Sequence, residues 1–246
     1  MAIGKSHFTI MSVGRNCANF VQAWHRSIVD QEHDNWHCVV ILDPSNDKSI
    51  PLVQSAIGGD HRFTLFINKN RHGCLRNTHR CTKEVQDPES ILVCVDLDDS
   101  LYHNRVLSVI NDIYQDKDVW MTYGSYIDNN GNRGWSKEIK DRVWANNSHR
   151  QSTWSASHLR TFKKWLWDMI DPTDFLMPDG SWIIRATDRA FMYPMLEMCG
   201  KKHVRYIKDI LYKYNIYGQQ TAENKTEMSS LKYILSKKPY KQIERH

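Results

Sequence analysis

Ile91-Leu92-Val93-Cys94-Val95-Asp96-Leu97-Asp98-Asp99 decides how this chain is read, because five apolar residues run straight into three carboxylates within four positions. Carboxylates at the end of a buried strand repel one another and are costly to desolvate, so they persist where a cation or a bound polyphosphate offsets the charge. The stretch therefore predicts a strand feeding a metal site at the mouth of an α/β sheet. Carboxylate oxygens suit Mg²⁺ or Mn²⁺, and neither needs a full protein cage when water and substrate phosphates complete the shell. A nucleotide phosphate is the expected co-ligand. The same residues also fit a strand that ends in a plain acidic turn, with Ser100 starting the next segment.

Upstream, Phe8-Thr9-Ile10-Met11-Ser12-Val13 is a buried-strand candidate that ends in the turn-like Gly14-Arg15-Asn16. Phe20, Val21, Trp24 and Ile28 then recur at helical spacing to about Gln31. A second strand at His37–Leu42 ends in Asp43-Pro44-Ser45-Asn46-Asp47, which completes a β-α-β unit. A short helix around Ser49 to Ile57, a strand at Phe63–Ile67 and a helix from about Leu75 to Val85 follow, so the acidic stretch closes a fourth strand. Ligands in such sheets bind beyond the carboxyl ends of the strands, where Asn16, Asp43, Asn68 and Asp96 fall.

Downstream, Val106, Leu107, Ile110, Ile113 and Tyr114 form the apolar face of a helix, and Asp118–Gly124 is a further strand. Ser125 to Trp154 is polar and reads as a long loop or lid, with Tyr126 to His149 as the closing segment. Ser157 to Ile170 reads as an aromatic-rich helix, and the helix near Asp188 is expected to start at, or bend at, Pro194.

The composition of the 246 residues, 41% hydrophobic and 25% charged, is ordinary for a globular chain. No run approaches 18 apolar residues and the start lacks an apolar signal region, which points to a soluble cytoplasmic protein. The six cysteines form no CxxC pair and are expected to be free thiols in a reducing compartment, where the sequons at Asn146 and Asn224 carry no weight. The net charge of +5 is uneven: Lys201 to His246 holds eleven Lys or Arg against four Asp or Glu. This basic tail suits a solvated face, the nucleotide phosphates, an anionic acceptor or peripheral contact with a membrane surface. No basic and aromatic nucleic-acid-binding motif is present.

The order of these features resembles the GT-A nucleotide-sugar glycosyltransferases, specifically glycosyltransferase family 2, from Phe8 to about Tyr217. Ser12-Val13-Gly14-Arg15-Asn16 keeps the Asn of the family's first turn, and Leu42-Asp43-Pro44-Ser45-Asn46-Asp47 matches its acidic second turn with Leu42 replacing the first Asp. Asn70-Arg71-His72-Gly73 and Arg76-Asn77 match a further segment at a spacing two residues shorter than usual, and the Asp-x-Asp-Asp motif is intact. Asp118–Gly124, Ser157-His158-Leu159-Arg160-Thr161-Phe162 and Asp188-Arg189-Ala190-Phe191 look like a compact microbial and viral subset. Where the family usually has Glu-Asp for its base, this chain has Thr187-Asp188.

The resemblance implies a single α/β domain of GT-A, Rossmann-like type, with a mixed, mostly parallel central sheet flanked by helices. Residues 1–124 would form the nucleotide-sugar half, 125–217 the acceptor and catalytic half, and 218–246 a basic C-terminal helical tail. The implied activity is metal-dependent, inverting transfer from a nucleoside-diphosphate sugar, a UDP-sugar such as UDP-glucose being favoured, to a hydroxyl acceptor such as a glycan. Asp98 would be the first metal ligand with Asp96 sharing the Mn²⁺ or Mg²⁺, and Asp99 would support its neighbours. Donor contacts would come from Ser12, Gly14, Asn16, Asp43 (uracil), Arg76, Asp96 (ribose) and Leu97. Asp188 would be the base, with Asp171, Asp174 and Asp179 as nearby rivals. Trp154 would stack on the acceptor, while Trp165, Trp167 and Trp182 fit a core stripe and His203 a solvated position.

Two other readings use the same residues. Val95–Leu101 also looks like the first motif of a haloacid dehalogenase-type phosphatase, with Asp96 as nucleophile and Mg²⁺ beside it, but that motif normally lies on a first strand. A non-catalytic glycan-binding protein would not require both the acidic stretch and Asp188. A nucleotidyltransferase is disfavoured because no Gly-rich phosphate loop with Lys or Arg follows the first strand.

Overall fold

The short apolar runs of the first half become parallel strands that, except for the half-buried strand at the sheet edge, are buried on both faces. In the computed structural model, which describes residues 4–216 and 224–244, the order begins β1 (Phe8–Gly14), α1 (Val21–Val29), β2 (Trp36–Leu42), α2 (Ser49–Ile57), β3 (Phe63–Ile67), α3 (Cys74–Lys83) and β4 (Ile91–Cys94). It continues with β5 (Ser100–Leu101), α4 (Val106–Tyr114), β6 (Met121–Asp128), α5 (Asp141–Ala145), β7 (Ser157–Lys163) and α6 (Lys164–Asp168). The last elements are α7 (Thr187–Cys199), β8 (Val204–Tyr214) and α8 (Asn224–Ser236).

All strands join one sheet in the order β3-β2-β1-β4-β7-β6-β8-β5. The pairs β1·β2, β1·β4, β2·β3 and β6·β8 are parallel, while β4·β7, β6·β7 and β5·β8 are antiparallel. The sheet is thus mixed and mostly parallel, as expected. Alternate side chains supply two cores. Phe8, Ile10, Cys38, Val40 and Val93 face Trp24 of α1, Val53 of α2 and Leu107 of α4. Met11, Val13, Val39, Ile41 and Leu92 face the other way, toward Leu75 of α3, Trp167 of α6 and Phe191 and Met195 of α7. Fully burying one such side chain contributes roughly 1.5–3 kcal/mol.

The second half corrects the sequence reading in four places. Ser157–Ile170 is not one helix: it is β7 followed by the short α6. The two faces of β7 carry His158, Arg160 and Phe162 against Leu159 and Thr161, so polar groups interrupt the apolar alternation that marks a strand. The helix near Asp188 starts at Thr187 and runs through Pro194, because every residue from Ala190 to Cys199 is buried and packing outweighs the lost backbone bond. β8 follows, a strand that periodicity did not predict. Lastly, the polar stretch after Ser125 is not all loop: it holds the end of β6 and the short α5, and its backbone is tied down. Gly134 N–H donates to Tyr126 O at 2.8 Å, Ile139 N–H to the Tyr123 hydroxyl at 2.9 Å, and the Ser136 hydroxyl to Ser155 O at 2.5 Å.

Of the expected C-terminal tail, residues 218–223 and 245–246, and with them the boundary at 217, lie outside the described residues. The rest is α8 and an extended segment docked on α7, where Ile243 N–H donates to Met198 O at 3.0 Å. The six cysteines are unpaired. Among the described residues no helix is long and apolar enough to cross a membrane.

Candidate active site

Topology gathers the site. Because β7 is antiparallel to β4 and β6, and β8 is parallel to β6, the carboxyl ends of β1, β2, β3, β4, β6 and β8 share one edge. The start of β7 and the residue entering β5 reach the same edge, so Asp96–Asp99, His158 and Tyr212–Asn215 meet there.

Asp99 is buried, its Oδ2 accepting from the Tyr212 hydroxyl at 2.8 Å and its Oδ1 from Asn215 N–H at 2.7 Å. The same hydroxyl accepts from Asp96 N–H at 3.2 Å. Ligating atoms of Asp96, Asp99 and His158 all lie within 4.8 Å of one another. Burial, then the charge of Asp98, pushes the Asp96 carboxyl up to about 7. Burial likewise raises Asp98, and with Asp98 and Asp96 alongside it raises Asp99 well above the carboxylate range. Among the described residues none of the three forms an ion pair with Lys or Arg. A crowded, uncompensated oxygen set of this kind fits a hard divalent cation. The sequence reading put Asp98 first and Asp99 behind it. The structure sets Asp99 and the unforeseen His158 with Asp96, and half-buried Asp98 beside them.

Arg160 stands two residues along β7 from His158, on the same face. Its Nη1 donates to His158 Nε2 at 2.8 Å and its Nη2 to Asp188 Oδ2 at 2.9 Å. A guanidinium only donates, so His158 Nε2 carries a lone pair. Burial, then the Arg160 charge, holds the His158 pKa well below its usual value, and the ring stacks on Tyr212 with centroids 4.6 Å apart. Asp188 is the second residue of α7, its side chain 27% exposed. Ala186, just before the helix, has φ 51°, a left-handed conformation that costs a non-glycine residue roughly 1–2 kcal/mol. The rival acids are engaged elsewhere. Asp171 and Asp179 accept from the Thr173 and Ser181 hydroxyls in their own turns, and Asp174 is held by Lys237 at 2.8 Å and Tyr240 at 2.6 Å.

The expected donor residues line the opposite side of the edge, several in supporting roles. The Ser12 hydroxyl faces the core and accepts from Trp24 Nε1 at 2.9 Å, which leaves only its backbone near the edge. A Cβ on Gly14 would sit 2.6 Å from Leu97 Cβ, so glycine is what lets the acidic turn lie against β1. Leu97 is fully buried and its N–H donates to Val13 O at 3.1 Å. Asn16, at φ 54°, accepts from Asn46 N–H at 2.9 Å and so ties the first turn to the second. Asp43 is buried, which would raise its pKa. Its bonds from Asn68 Nδ2 at 2.9 Å, His72 N–H at 3.0 Å and Gly73 N–H at 2.8 Å outweigh this and hold it low. That clamp sets the start of α3, where Arg76 is exposed.

Trp154 is half-buried against Tyr193 of α7, ring centroids 4.9 Å apart, with the guanidinium of Arg189 5.6 Å from its ring. It lines a cleft of about 410 Å³ with Tyr193, Leu196 and Lys137. Trp167 is core, and His203 stacks on Trp120 at 3.4 Å at the start of β8, the end of the sheet away from the acids.

The sequence profile of glycosyl transferase family 2 matches residues 10–185, nearly three quarters of the chain. This chain belongs to that family. No curated protein is significantly similar to it in sequence. Among solved structures, this family member is similar in fold to S. aureus TarS, with a TM-score of 0.63 at 13% identity over 85% of this chain and 37% of that one. TarS 1-349 in complex with UDP gives 0.63 at 12% identity over 93% and 64%. The mannosyltransferase PcManGT from Pyrobaculum calidifontis, in complex with GDP-Man and Mn²⁺, gives 0.59 at 16% identity over 86% and 57%. The chain thus spans 37% to 64% of the length of these neighbours. At such identities the likeness shows the fold, which is GT-A in form. The family match includes the fourth-strand acidic stretch, which removes the ground for the phosphatase reading.

Proposed function

We propose that this chain transfers a glycosyl group, with inversion, from a nucleoside-diphosphate sugar, a UDP-sugar being favoured, to a hydroxyl of an acceptor such as a glycan. The observation that carries the reading is the joining at one sheet edge of a cation-suited acid cluster and, through Arg160, a solvent-reaching carboxylate on α7. The UDP and UDP-GlcNAc complexes of TarS 1-349 and the GDP-Man and Mn²⁺ complex of PcManGT support the donor class and a divalent ion.

Asp96 and Asp98, with Asp99 beside them, would hold Mn²⁺ or Mg²⁺, which when bound neutralises charge on the diphosphate, while His158, whose Nε2 lone pair is taken by Arg160, packs against the cluster without ligating. The turns at Gly14–Asn16 and Asp43, with Arg76 on α3, would frame the nucleotide. Asp188 takes the proton of the acceptor hydroxyl as that oxygen attacks the anomeric carbon and the bond to the diphosphate breaks. A base in such a role contributes roughly 10²- to 10⁴-fold. Trp154, packed beside Tyr193 and Arg189 of α7, would offer an apolar ring to an acceptor sugar.

The test is release of nucleoside diphosphate from a panel of UDP-, GDP- and dTDP-sugars with Mn²⁺, Mg²⁺ or chelator, in wild type and Asp98→Asn. Release of one diphosphate that needs the cation and is lost in the variant is expected. Inorganic phosphate from a generic phosphomonoester with no diphosphate release would sink the proposal.

A further inference from the structure

Arg160 is only 7% exposed and its charge cannot be discharged, so its interior position needs partners. Its partners are unusual for a device of stability. One terminal nitrogen goes to a neutral imidazole and the other to a single oxygen of a carboxylate on a different element, while its buried Nε has no hydrogen-bond partner. A carboxylate grips a guanidinium best through two parallel bonds, and this pair has one. The guanidinium is instead stretched between two groups at the reactive edge. His158 is fixed on its far side as well, where its Nδ1 stands 3.2 Å from the Ser157 hydroxyl and its face lies on Tyr212.

We propose that Arg160 is a positioning residue of the transfer reaction, holding Asp188 in its proton-accepting orientation by one terminal nitrogen while the other keeps the His158 ring aimed with Nε2 as acceptor. The proposal rests on the transferase reading above. Asp188 sits at the start of a helix with its side chain in part open to solvent, and among the described residues the hydrogen bond that fixes its rotamer is the one from Arg160 Nη2. Misplacing a reacting group by about 1 Å costs on the order of 10²-fold in rate. Arg160 itself touches neither donor nor acceptor in this account; it acts through Asp188.

Arg160→Met, Arg160→Lys, Asp188→Asn and the double variant Arg160→Met/Asp188→Asn separate this role from a merely structural one. The readouts are diphosphate release and UDP affinity in the presence of Mn²⁺. Arg160→Met is expected to lower kcat about 10²-fold with KM for the donor and UDP affinity unchanged within about threefold. Lysine restores part of the rate, since an ammonium pairs with Asp188 but lacks the fork that spans both partners. The double variant should be no slower than Asp188→Asn, because a residue acting through another adds nothing once that other is gone. Near-normal release by Arg160→Met, or losses that simply multiply in the double variant, overturns the proposal. If Arg160→Met does not fold, the Lys variant carries the same comparison. Should wild type release no diphosphate from any donor, the transferase reading fails, and nitrogen NMR of His158 in the cation-free protein still decides the clamp. A ring protonated on Nδ1 that loses this preference in Arg160→Lys supports it, and a ring protonated on Nε2 in wild type overturns it.

Discussion

Two buried arginines end on α7, and they are built in opposite ways. Arg150 meets Glu197 through two bonds, Nε at 2.7 Å and Nη2 at 2.9 Å, and its Nη1 donates to Ile234 O at 2.7 Å. Both side chains are essentially inaccessible, and Glu197 Oε2 also accepts from Tyr240 N–H at 3.0 Å. Arg160 meets Asp188 through one bond, keeps an idle Nε, and leaves Asp188 in part exposed. The first pair is saturated, and it fastens both α8, through Ile234, and the segment after it, through Tyr240, to α7. The second is open, with capacity left on the carboxylate for a proton or a substrate hydroxyl. Burial of an ion pair alone therefore does not point to a reacting group; the hydrogen-bonding capacity left unused on Asp188 is what singles it out as the proposed base.

The largest expected effects break the two pairs apart. Glu197→Gln strips Arg150 of its counter-charge deep in the core, a loss worth ~3–5 kcal/mol. For a chain of this size it lowers the melting temperature by roughly 6–20 °C. Below that temperature its rate of diphosphate release should stay near wild type. Asp188→Asn should do the reverse, cutting transfer by roughly 10²- to 10⁴-fold with a much smaller change in melting temperature. Thermal melts and rates on both variants decide it. If Glu197→Gln loses activity while still folded, or if Asp188→Asn melts as early as Glu197→Gln, the contrast between the pairs is wrong.

The same contrast explains what the sequence showed and what it hid. β1 to β4 and the helices between them were legible because their runs are continuously apolar and their turns carry Asn, Asp or Gly, and the ends of those strands supplied Asn16, Asp43 and Asp96. The site's other half lies on β7 and β8. There two polar residues that face the acid edge, His158 and Arg160, occupy positions where a strand would show apolar side chains, and so they dilute the period that would reveal it. Tyr212 and Asn215 complete the acid cluster from a strand whose irregular register against β6 weakens its alternation. Their signal was present in composition, since Val204, Tyr206, Ile207, Ile210, Tyr212 and Tyr214 are strand formers. Asp188 was readable only through resemblance, because a carboxylate near a helix start has a common structural use.

A middle-sized effect concerns the rigid side of the edge. Gly14→Ala forces a methyl to within 2.6 Å of Leu97 Cβ, between two backbones joined by the Leu97 N–H bond to Val13 O. Neither partner is the free end of a side chain, so overpacking of ~1–3 kcal/mol is expected. Because the strain falls on the turn that presents Asp96 and Asp98, cation affinity should fall along with stability. A stability loss without any change in Mn²⁺ affinity would place the acidic turn outside the influence of β1.

An effect of comparable size sharpens the comparison by separating the open region from the closed one through protons. Asp96 titrates at about 7 in the folded chain against 3.8 as a free side chain. Between those values the folded state holds a proton that the unfolded state has released. The contribution of this carboxyl to stability is therefore whole below 3.8 and is lost as pH rises through about 7. A divalent cation needs the ionised form, so its stabilising effect must grow over the same window. With Mn²⁺ at 100 times its dissociation constant the gain is ~2.7 kcal/mol, or roughly 5–10 °C in melting temperature at pH 8, and distinctly less at pH 5. Asp96→Asn should abolish the gain and also raise the cation-free melting temperature at pH 8, since it removes one of the crowded charges. Glu197→Gln should keep the full cation shift on a lower baseline, because its charge belongs to the closed pair. Equal Mn²⁺ shifts at pH 5 and pH 8 would mean that the acid cluster is not where the cation binds.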